Sequence, residues 1–229
     1  MKIKVVSYNI KHGDIAGHDF SLIAGDILKY DPDLVGIQEL DLYTARSPGL
    51  DELALIAENM GYKYYRFARA IDYKGGQYGC GIISRYPIES FEVKDLKVLP
   101  REEGRSCSHA VVEIGGQKIN FFNTHTNCGI ENGSSQNMFS QIAELICGKD
   151  HGIITGDFNI RYKFGFFDNF KGYSVVNKGD LITTADNGNS IDNICYTKEF
   201  RLLSYGAATE TNSDHFPIYA EFELVQEEV

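Results

Sequence analysis

The sequence predicts an α/β protein whose strands and helices build one domain over residues 1–229, and three observations carry that expectation. Short apolar runs of strand length alternate with stretches whose apolar residues recur at helical spacing. No Pro/Gly/Ser-rich or highly charged linker divides the 229 residues. The apolar runs also end, again and again, in an acid, an amide or a histidine, and a sheet gathers its strand ends into one surface.

Taken in order, residues 2 to 9 mix β-branched and apolar positions and read as a strand, which Lys11-His12-Gly13-Asp14 breaks, so Asn9 sits at its end. Phe20, Leu22, Ile23, Ile27 and Leu28 follow Asp19 at near-helical spacing, and Asp31-Pro32 stops that helix. Leu34-Val35-Gly36-Ile37-Gln38-Glu39 is a second strand ending in an acid. Asp51 caps a helix that runs to Met60 and stops at Gly61. Tyr62 to Phe67, Gly79 to Arg85, and a segment from Pro87 through Leu99 read as strands. Ala110 to Ile114 and Gln117 to Phe122 form the best hairpin, because Gly115-Gly116 supplies the two positive φ angles of a type I′ turn. Its second strand runs out at Asn123-Thr124-His125-Thr126.

Ser134 opens a helix with Met138, Ile142, Leu145 and Ile146 on one face and Gly148 as its stop. Ile153-Ile154-Thr155-Gly156-Asp157-Phe158-Asn159 is the stretch around which the chain is organised. On an extended backbone Asp157 and Asn159 point the same way, so a carboxylate that can deprotonate a water lies beside an amide that can donate to an anionic oxygen. Residues 161 to 190 read as loops with a turn of helix. Ile191 to Thr197, Arg201 to Ala208 and Phe216 to Leu224 close the chain as strands, the last just after Ser213-Asp214-His215.

The net charge of -10 argues against a broad basic face for nucleic acid. The polar N-terminus and the lack of any long apolar stretch predict neither signal peptide nor transmembrane span, hence a cytoplasmic protein. Cys80, Cys107, Cys128, Cys147 and Cys195 are odd in number and widely spaced, and are expected to be buried free thiols. No HExxH, GxSxG or complete dinucleotide fingerprint is present.

Asn9, Glu39, His125, Asp157, Asn159, Asp192, Asp214 and His215 are therefore candidates to converge. Most also have an ordinary alternative: Asn9 as a turn former, Glu39 as a solvated acid, His125 as a half-buried histidine, Asp157 and Asn159 as a strand end followed by an Asx turn, and Ser213 to Pro217 as a capped turn. Asp192, inside Ile191-Asp192-Asn193-Ile194, is harder to dismiss, because a buried acid in a strand needs a positive or hydrogen-bonding partner.

Seven motifs in order give the chain its resemblance to the endonuclease/exonuclease/phosphatase superfamily of DNase I-like metal-dependent phosphoesterases. They are Tyr8-Asn9, Gln38-Glu39, Gly81 to Ile88, Asn123 to Thr126, Gly156 to Asn159, Ile191-Asp192 and Ser213 to His215. Arg46-Ser47 and Gly75 to Gly79 resemble a bacterial, metal-dependent hydrolase-like branch.

The resemblance implies a four-layer α/β/β/α sandwich, two mostly antiparallel mixed sheets with helices on the outer faces, and Mg²⁺ or Mn²⁺ as cofactor. It implies Glu39 as main metal ligand with Asn9 and Asp214 beside it, Asp157 activating the attacking water, and Asn159 holding that water or a phosphate oxygen. His215, oriented by Asp192, would contact the phosphate, His125 would approach from the other side, and Arg105 would bind substrate. Ser190 and Asn193 depart from the cation and the aromatic that relatives often carry there, which removes a contact for extended nucleic acid. The expectation is a monomeric phosphoric ester hydrolase acting on a compact phosphate ester. A nuclease, then a non-catalytic binding module, are the alternatives.

Overall fold

The computed structural model describes residues 1–225. The first half of the chain forms β1 (Lys2–Asn9), α1 (Phe20–Leu28), β2 (Leu34–Leu42), α2 (Glu52–Met60), β3 (Tyr64–Tyr73) and β4 (Gly76–Ser84). Next come β5 (Ile88–Leu96), β6 (Arg105–Ile114), β7 (Gln117–His125), α3 (Ser134–Ile146) and β8 (Gly152–Asp157). The chain closes with β9 (Tyr173–Val175), β10 (Asp192–Thr197), β11 (Phe200–Ala207) and β12 (Ile218–Leu224). These strands make two six-stranded sheets, ordered β11-β12-β1-β2-β4-β3 and β5-β6-β7-β8-β10-β9. Each sheet is antiparallel except for one central parallel pair, β1 with β2 and β7 with β8. The helix joining each pair, α1 or α3, is the crossover a parallel connection requires.

Three apolar clusters show the layering. One joins Ile3, Val5 and Leu34 of the first sheet to Phe121, Ile153 and Ile194 of the second, and is the interior between the sheets. The second packs Phe20, Ile23 and Ile27 of α1 and Leu53 and Ile56 of α2 on the outer face of the first sheet. The third packs Phe139, Ile142 and Ile146 of α3 on the outer face of the second sheet. Helix, sheet, sheet, helix is the expected sandwich.

Local chemistry explains the element ends. The Asp19 side chain accepts from the Ser21 N–H, the Asp51 side chain from the Ala54 N–H, and Gly61 closes α2 in the left-handed conformation. Gly115 and Gly116, both at positive φ, turn the β6–β7 hairpin as expected. A second hairpin, β3–β4, turns through Lys74-Gly75, also both at positive φ; its sequence signal is weaker because lysine stands where asparagine or glycine is usual.

Several boundaries differ from expectation. β3 starts at Tyr64 and runs to Tyr73, β5 ends at Leu96, and residues 162–175 hold two 3₁₀ turns and the three-residue β9. Cys80, Cys107 and Cys195 are buried free thiols, but Cys128 and Cys147 are exposed, because they fall in the segment before α3 and at its end rather than on an inward face. Among the described residues no helix is long and apolar enough to cross a membrane.

Candidate functional site

Strand alternation builds the site. On β1 the side chains facing the other sheet are Ile3, Val5, Ser7 and Asn9; on β7 they are Ile119, Phe121, Asn123 and His125; on β8, Ile153, Thr155 and Asp157. The inter-sheet layer thus passes from apolar to neutral polar to ionisable toward one end of the sandwich.

The neutral polar step is closely bonded. Gln38 Nε2 donates to Asn123 Oδ1 at 2.7 Å and to Ser7 Oγ at 3.1 Å. Asn123 Nδ2 donates to the Ile37 and Gly81 carbonyls, each at 2.9 Å, and Thr155 Oγ1 donates to Asn123 Oδ1 at 3.1 Å. Gly36 lies over this cluster, and a Cβ there would collide with Thr155 and Asn123. These bonds tie β2 and β4 of one sheet to β7 and β8 of the other directly beneath the ionisable residues, and the expectation from sequence missed them.

Glu39 obeys a different rule. By alternation it would follow Val35 and Ile37 toward the helices, but the β2–β4 register shifts between Ile37 and Leu40, and Glu39 has φ +56°. This bulge swings its carboxylate to the inner face, where Asn9 Nδ2 donates to Oε1 at 3.0 Å. Asn9 Nδ2 also donates to Asp157 Oδ2 at 3.0 Å, so one amide bridges the two carboxylates. Asn9 Oδ1 accepts from the Lys11 N–H at 3.0 Å.

Asp157 occupies the centre. Its Oδ1 accepts from the Asn159 N–H at 2.9 Å, and its Oδ2 lies 3.5 Å from His125 Nε2 and 3.7 Å from His215 Nε2. Phe158 points the opposite way into the helical layer, 5.6 Å from Phe139 and 5.0 Å from Phe167 between ring centroids, and so anchors the two polar residues that flank it. Asp192 finds the partner it needs in His215, whose Nδ1 is 2.9 Å from Oδ2. The loop carrying Asp214 and His215 is held by Asp26, which accepts from the Asn212 N–H and Nδ2 and from the Tyr8 hydroxyl. Asp26 is a positioning residue that sequence inspection did not single out; an acid inside the apolar face of α1 was the available signal.

The electrostatics follow from burial. Burial holds Glu39 above the ordinary carboxylate range and, together with the neighbouring Asp192 charge, raises Asp157. Burial, then the charges of Arg105 and His215, keeps His125 well below its usual value and therefore neutral. Burial also works against charge on His215, but Asp192, by charge and hydrogen bond, followed by Asp157 and Asp214, raises it to about 10. The result is a neutral imidazole and an imidazolium on either side of Asp157.

Asn159 Nδ2 lies 3.0 Å from His125 Nε2 and 2.9 Å from the Thr126 carbonyl. Its two amide hydrogens are thereby committed inside the protein, and its carbonyl oxygen is the group left to hold a water. The expected donation from this amide to an anionic oxygen does not fit that geometry.

Two expected residues stand further out. Asp214 Oδ2 pairs with Lys11 Nζ at 3.0 Å, and Asp214 is not among the residues whose ligand atoms cluster. Arg105 Nε donates to Asn127 Oδ1 at 2.6 Å and the guanidinium pairs with Glu103, while its charge acts on both Glu39 and His125. Ser190 and Asn193 fasten the preceding loop. Asn177 Nδ2 donates to Ser190 Oγ at 3.0 Å, and the Asn193 amide pairs with the Asn177 backbone at 2.8 and 2.9 Å.

The donor set could hold a divalent cation. Ligand atoms of Glu39, His125 and Asp157 all lie within 4.8 Å of one another, and the raised carboxylates mark buried negative charge that the protein alone leaves undercompensated. Asp157, Asp192 and His215 form a second group within the same 4.8 Å, but there the imidazole already bridges the acids.

Comparison with known proteins shows the family and the fold. The sequence model of the Endonuclease/Exonuclease/phosphatase family matches residues 6–215. No curated protein matches the chain. Among solved structures, an endonuclease/exonuclease/phosphatase family protein from Bacteroides thetaiotaomicron superposes with a TM-score of 0.82 at 20% identity over 99% of both chains. A mannosyl-6-phosphatase of the same organism superposes with a TM-score of 0.77 at 22% identity, covering 98% of this chain and 100% of that one. The human Nocturnin catalytic domain with bound sulfate gives 0.74 at 18%, covering 98% and 94%. The sandwich is thus the DNase I-like fold.

Proposed function

This chain belongs to the endonuclease/exonuclease/phosphatase family, a superfamily of metal-dependent phosphoesterases, and on that premise we propose that it is a Mg²⁺- or Mn²⁺-dependent phosphoric ester hydrolase acting on a compact substrate. The observation that carries the reading is the single Asn9 amide reaching Glu39 and Asp157 at 3.0 Å each, with the Asp192–His215 pair on the far side of Asp157. Among the described residues neither acid is paired with an arginine or lysine; the two share one neutral amide.

In this reading Asp157 takes the proton from the attacking water, and the Asn159 carbonyl oxygen orients that water. The His215 imidazolium, fixed by Asp192, donates to a phosphoryl oxygen and meets the charge that develops there. His125, neutral and held by Asn159, lines the opposite side, and Arg105 faces the substrate near Glu39. Glu39 would hold the ion, with Asn9 and Asp214, the latter now paired with Lys11, next to it. Held there, a divalent cation would supply Lewis-acid polarisation of the phosphoryl group and compensation of charge on the leaving oxygen. The intact set of acids, amides and histidines argues against a pure binding module.

A compact substrate is supported by charge. Several surface cations are paired with acids, including Lys2 with Glu221, Arg69 with Asp72, Lys118 with Glu89 and Arg201 with Glu223, which leaves little material for a cationic track along a polyanion. The whole chain acts as one catalytic domain, as a monomer in the cytoplasm. The test is Mg²⁺-dependent turnover against ionic strength for a small diester, a small monoester, and single- and double-stranded DNA at matched concentrations of scissile groups. Turnover of a small ester with weak salt dependence is expected. Robust, steeply salt-sensitive DNA cleavage with negligible turnover of every small ester would replace this reading with a nuclease.

A further inference from the structure

Beside Glu39 lies a recess of about 250 Å³ whose occupant the chemistry above leaves unassigned, bounded by Arg46, Tyr73, Tyr78, Glu103 and Arg105. We propose that this recess receives the leaving alcohol of the ester, and that the alcohol is a neutral polyol about the size of one sugar ring. The inference rests on the phosphoesterase reading and adds to it the identity of the leaving group.

Direction comes first. In a displacement at phosphorus the entering and leaving oxygens lie roughly in line. Asp157 receives the proton of the entering water, and Glu39 is the acid on the other side of the Asn9 amide, with the recess immediately beyond it. The phosphorus–oxygen bond to the alcohol breaks as the bond to the water oxygen forms. Asp157 takes the water's proton, the departing alkoxide takes one from solvent, and the freed alcohol sits against Glu39.

Charge then selects the alcohol. Arg46 binds the fully buried Asp41 in bidentate fashion, Nε to Oδ2 at 2.9 Å and Nη2 to Oδ1 at 2.8 Å, and Arg105 pairs with Glu103. Each guanidinium is therefore matched by a carboxylate, so the walls offer hydrogen-bond donors and acceptors with little net charge. A second phosphate would find no uncompensated cation. A polyol, whose hydroxyls both donate and accept, matches both kinds of wall.

Rigidity and size complete the case. The Arg46 guanidinium carbon lies 4.7 Å over the Tyr73 ring and 5.5 Å from that of Tyr78, so its position is fixed from two sides as well as by Asp41. Its Nη1 has no protein acceptor among the described residues. The volume is smaller than the roughly 300–1,000 Å³ that drug-sized ligands occupy, which limits the occupant to a group of about one ring.

The experiment compares kcat/KM, with Mg²⁺, for glucose 6-phosphate and myo-inositol 1-phosphate against phenyl phosphate, and for glycerophosphoinositol against diphenyl phosphate. Wild type, Tyr73→Leu and Tyr73→Phe are used, because both changes leave the Arg46–Asp41 and Arg105–Glu103 pairs intact. In parallel, saturation-transfer NMR records binding of free myo-inositol and glucose to the Mg²⁺-loaded proteins. The polyol esters should be preferred by wild type, and each variant should lower that preference about tenfold, the worth of a lost hydrogen bond or ring contact. Turnover with the same selectivity in all three proteins, and no NMR signal, overturns the recess and leaves the hydrolase reading intact. Binding of free polyol that is lost in Tyr73→Leu, with no ester turned over, removes the hydrolase reading and keeps the polyol site. Neither turnover nor binding removes both.

Discussion

His215 and Asp192 meet at 2.9 Å although one precedes a strand of the first sheet and the other opens a strand of the second. Their hydrogen bond therefore spans the sandwich at its active end, and the charge on His215 depends on how the two sheets are docked. Asp192→Asn and His215→Ala should each cut kcat/KM severely yet add little to one another, because an imidazole without its acid is already misplaced and uncharged. The sign of the pH effect follows from His215 being raised to about 10 mainly by Asp192 acting against burial. Its proton is held across neutrality and lost as pH rises through that value, so in Asp192→Asn the alkaline limb of the pH–rate profile should move toward neutral pH. Full additivity in the double variant, or an unmoved limb, would show that the two do not act as a pair.

Glu39→Gln should weaken Mg²⁺ affinity more than it disturbs folding, with partial rescue by excess ion, since an amide is the poorer ligand for a hard cation. Asp157→Asn should instead lower turnover by about 10² to 10⁴ at saturating Mg²⁺, the usual worth of a positioned base. Titration calorimetry with Mg²⁺ separates the two; identical metal affinity in wild type and Glu39→Gln would take Glu39 out of the ion site.

Lys11 presents a sharper test of Asp214. Its ammonium sits 3.0 Å from Asp214 Oδ2, where it competes with any cation for that carboxylate. If Asp214 is a ligand, Lys11→Met should tighten Mg²⁺ binding several-fold, by the ~1 kcal/mol of an exposed ion pair. Unchanged affinity in Lys11→Met together with unchanged affinity in Asp214→Asn would leave Asp214 as the partner of Lys11 and nothing more.

Glu52 should make stability pH-dependent. It is buried at the start of α2, accepts from the Asp41 N–H at 2.8 Å, and burial, with a smaller push from the Asp41 charge, raises its carboxyl to about 8. A folded-state value above the unfolded one means that the native protein holds the extra proton. Stability from this group is intact below the unfolded pKa and falls, by up to about 1.4 kcal/mol per pH unit, as pH rises from there through about 8. Glu52→Gln should flatten that dependence in thermal melts between pH 5 and about 8; parallel curves for the two proteins would contradict it.

The sequence showed the ends of strands well because alternation is rigid: once Ile119 and Phe121 face inward, Asn123 and His125 must as well. It showed Asp157 for the same reason, whereas Asn159 lies past the end of β8 at φ +50°. Three things lay outside that rule. The side of Glu39 is set by a bulge, which reverses alternation locally and leaves no period to read. The hydrogens of Asn159 are assigned by His125 and Thr126, residues of another strand. The partner of Asp214 turned out to be Lys11, in a 3₁₀ turn at positive φ. Pairings between distant segments are products of docking, and no local pattern encodes them.

The bulge at Glu39 has an evolutionary consequence. A non-glycine residue at φ +56° in a broken ladder is held against its own local preference, so removing one residue at positions 38–39 would relieve the backbone and restore regular pairing with β4. The shortened chain could be the more comfortable fold and would have no acid facing Asn9. Selection for stability alone pushes such a lineage toward inactivity, and persistence of the bulge among descendants of this chain would be a record of selection for catalysis.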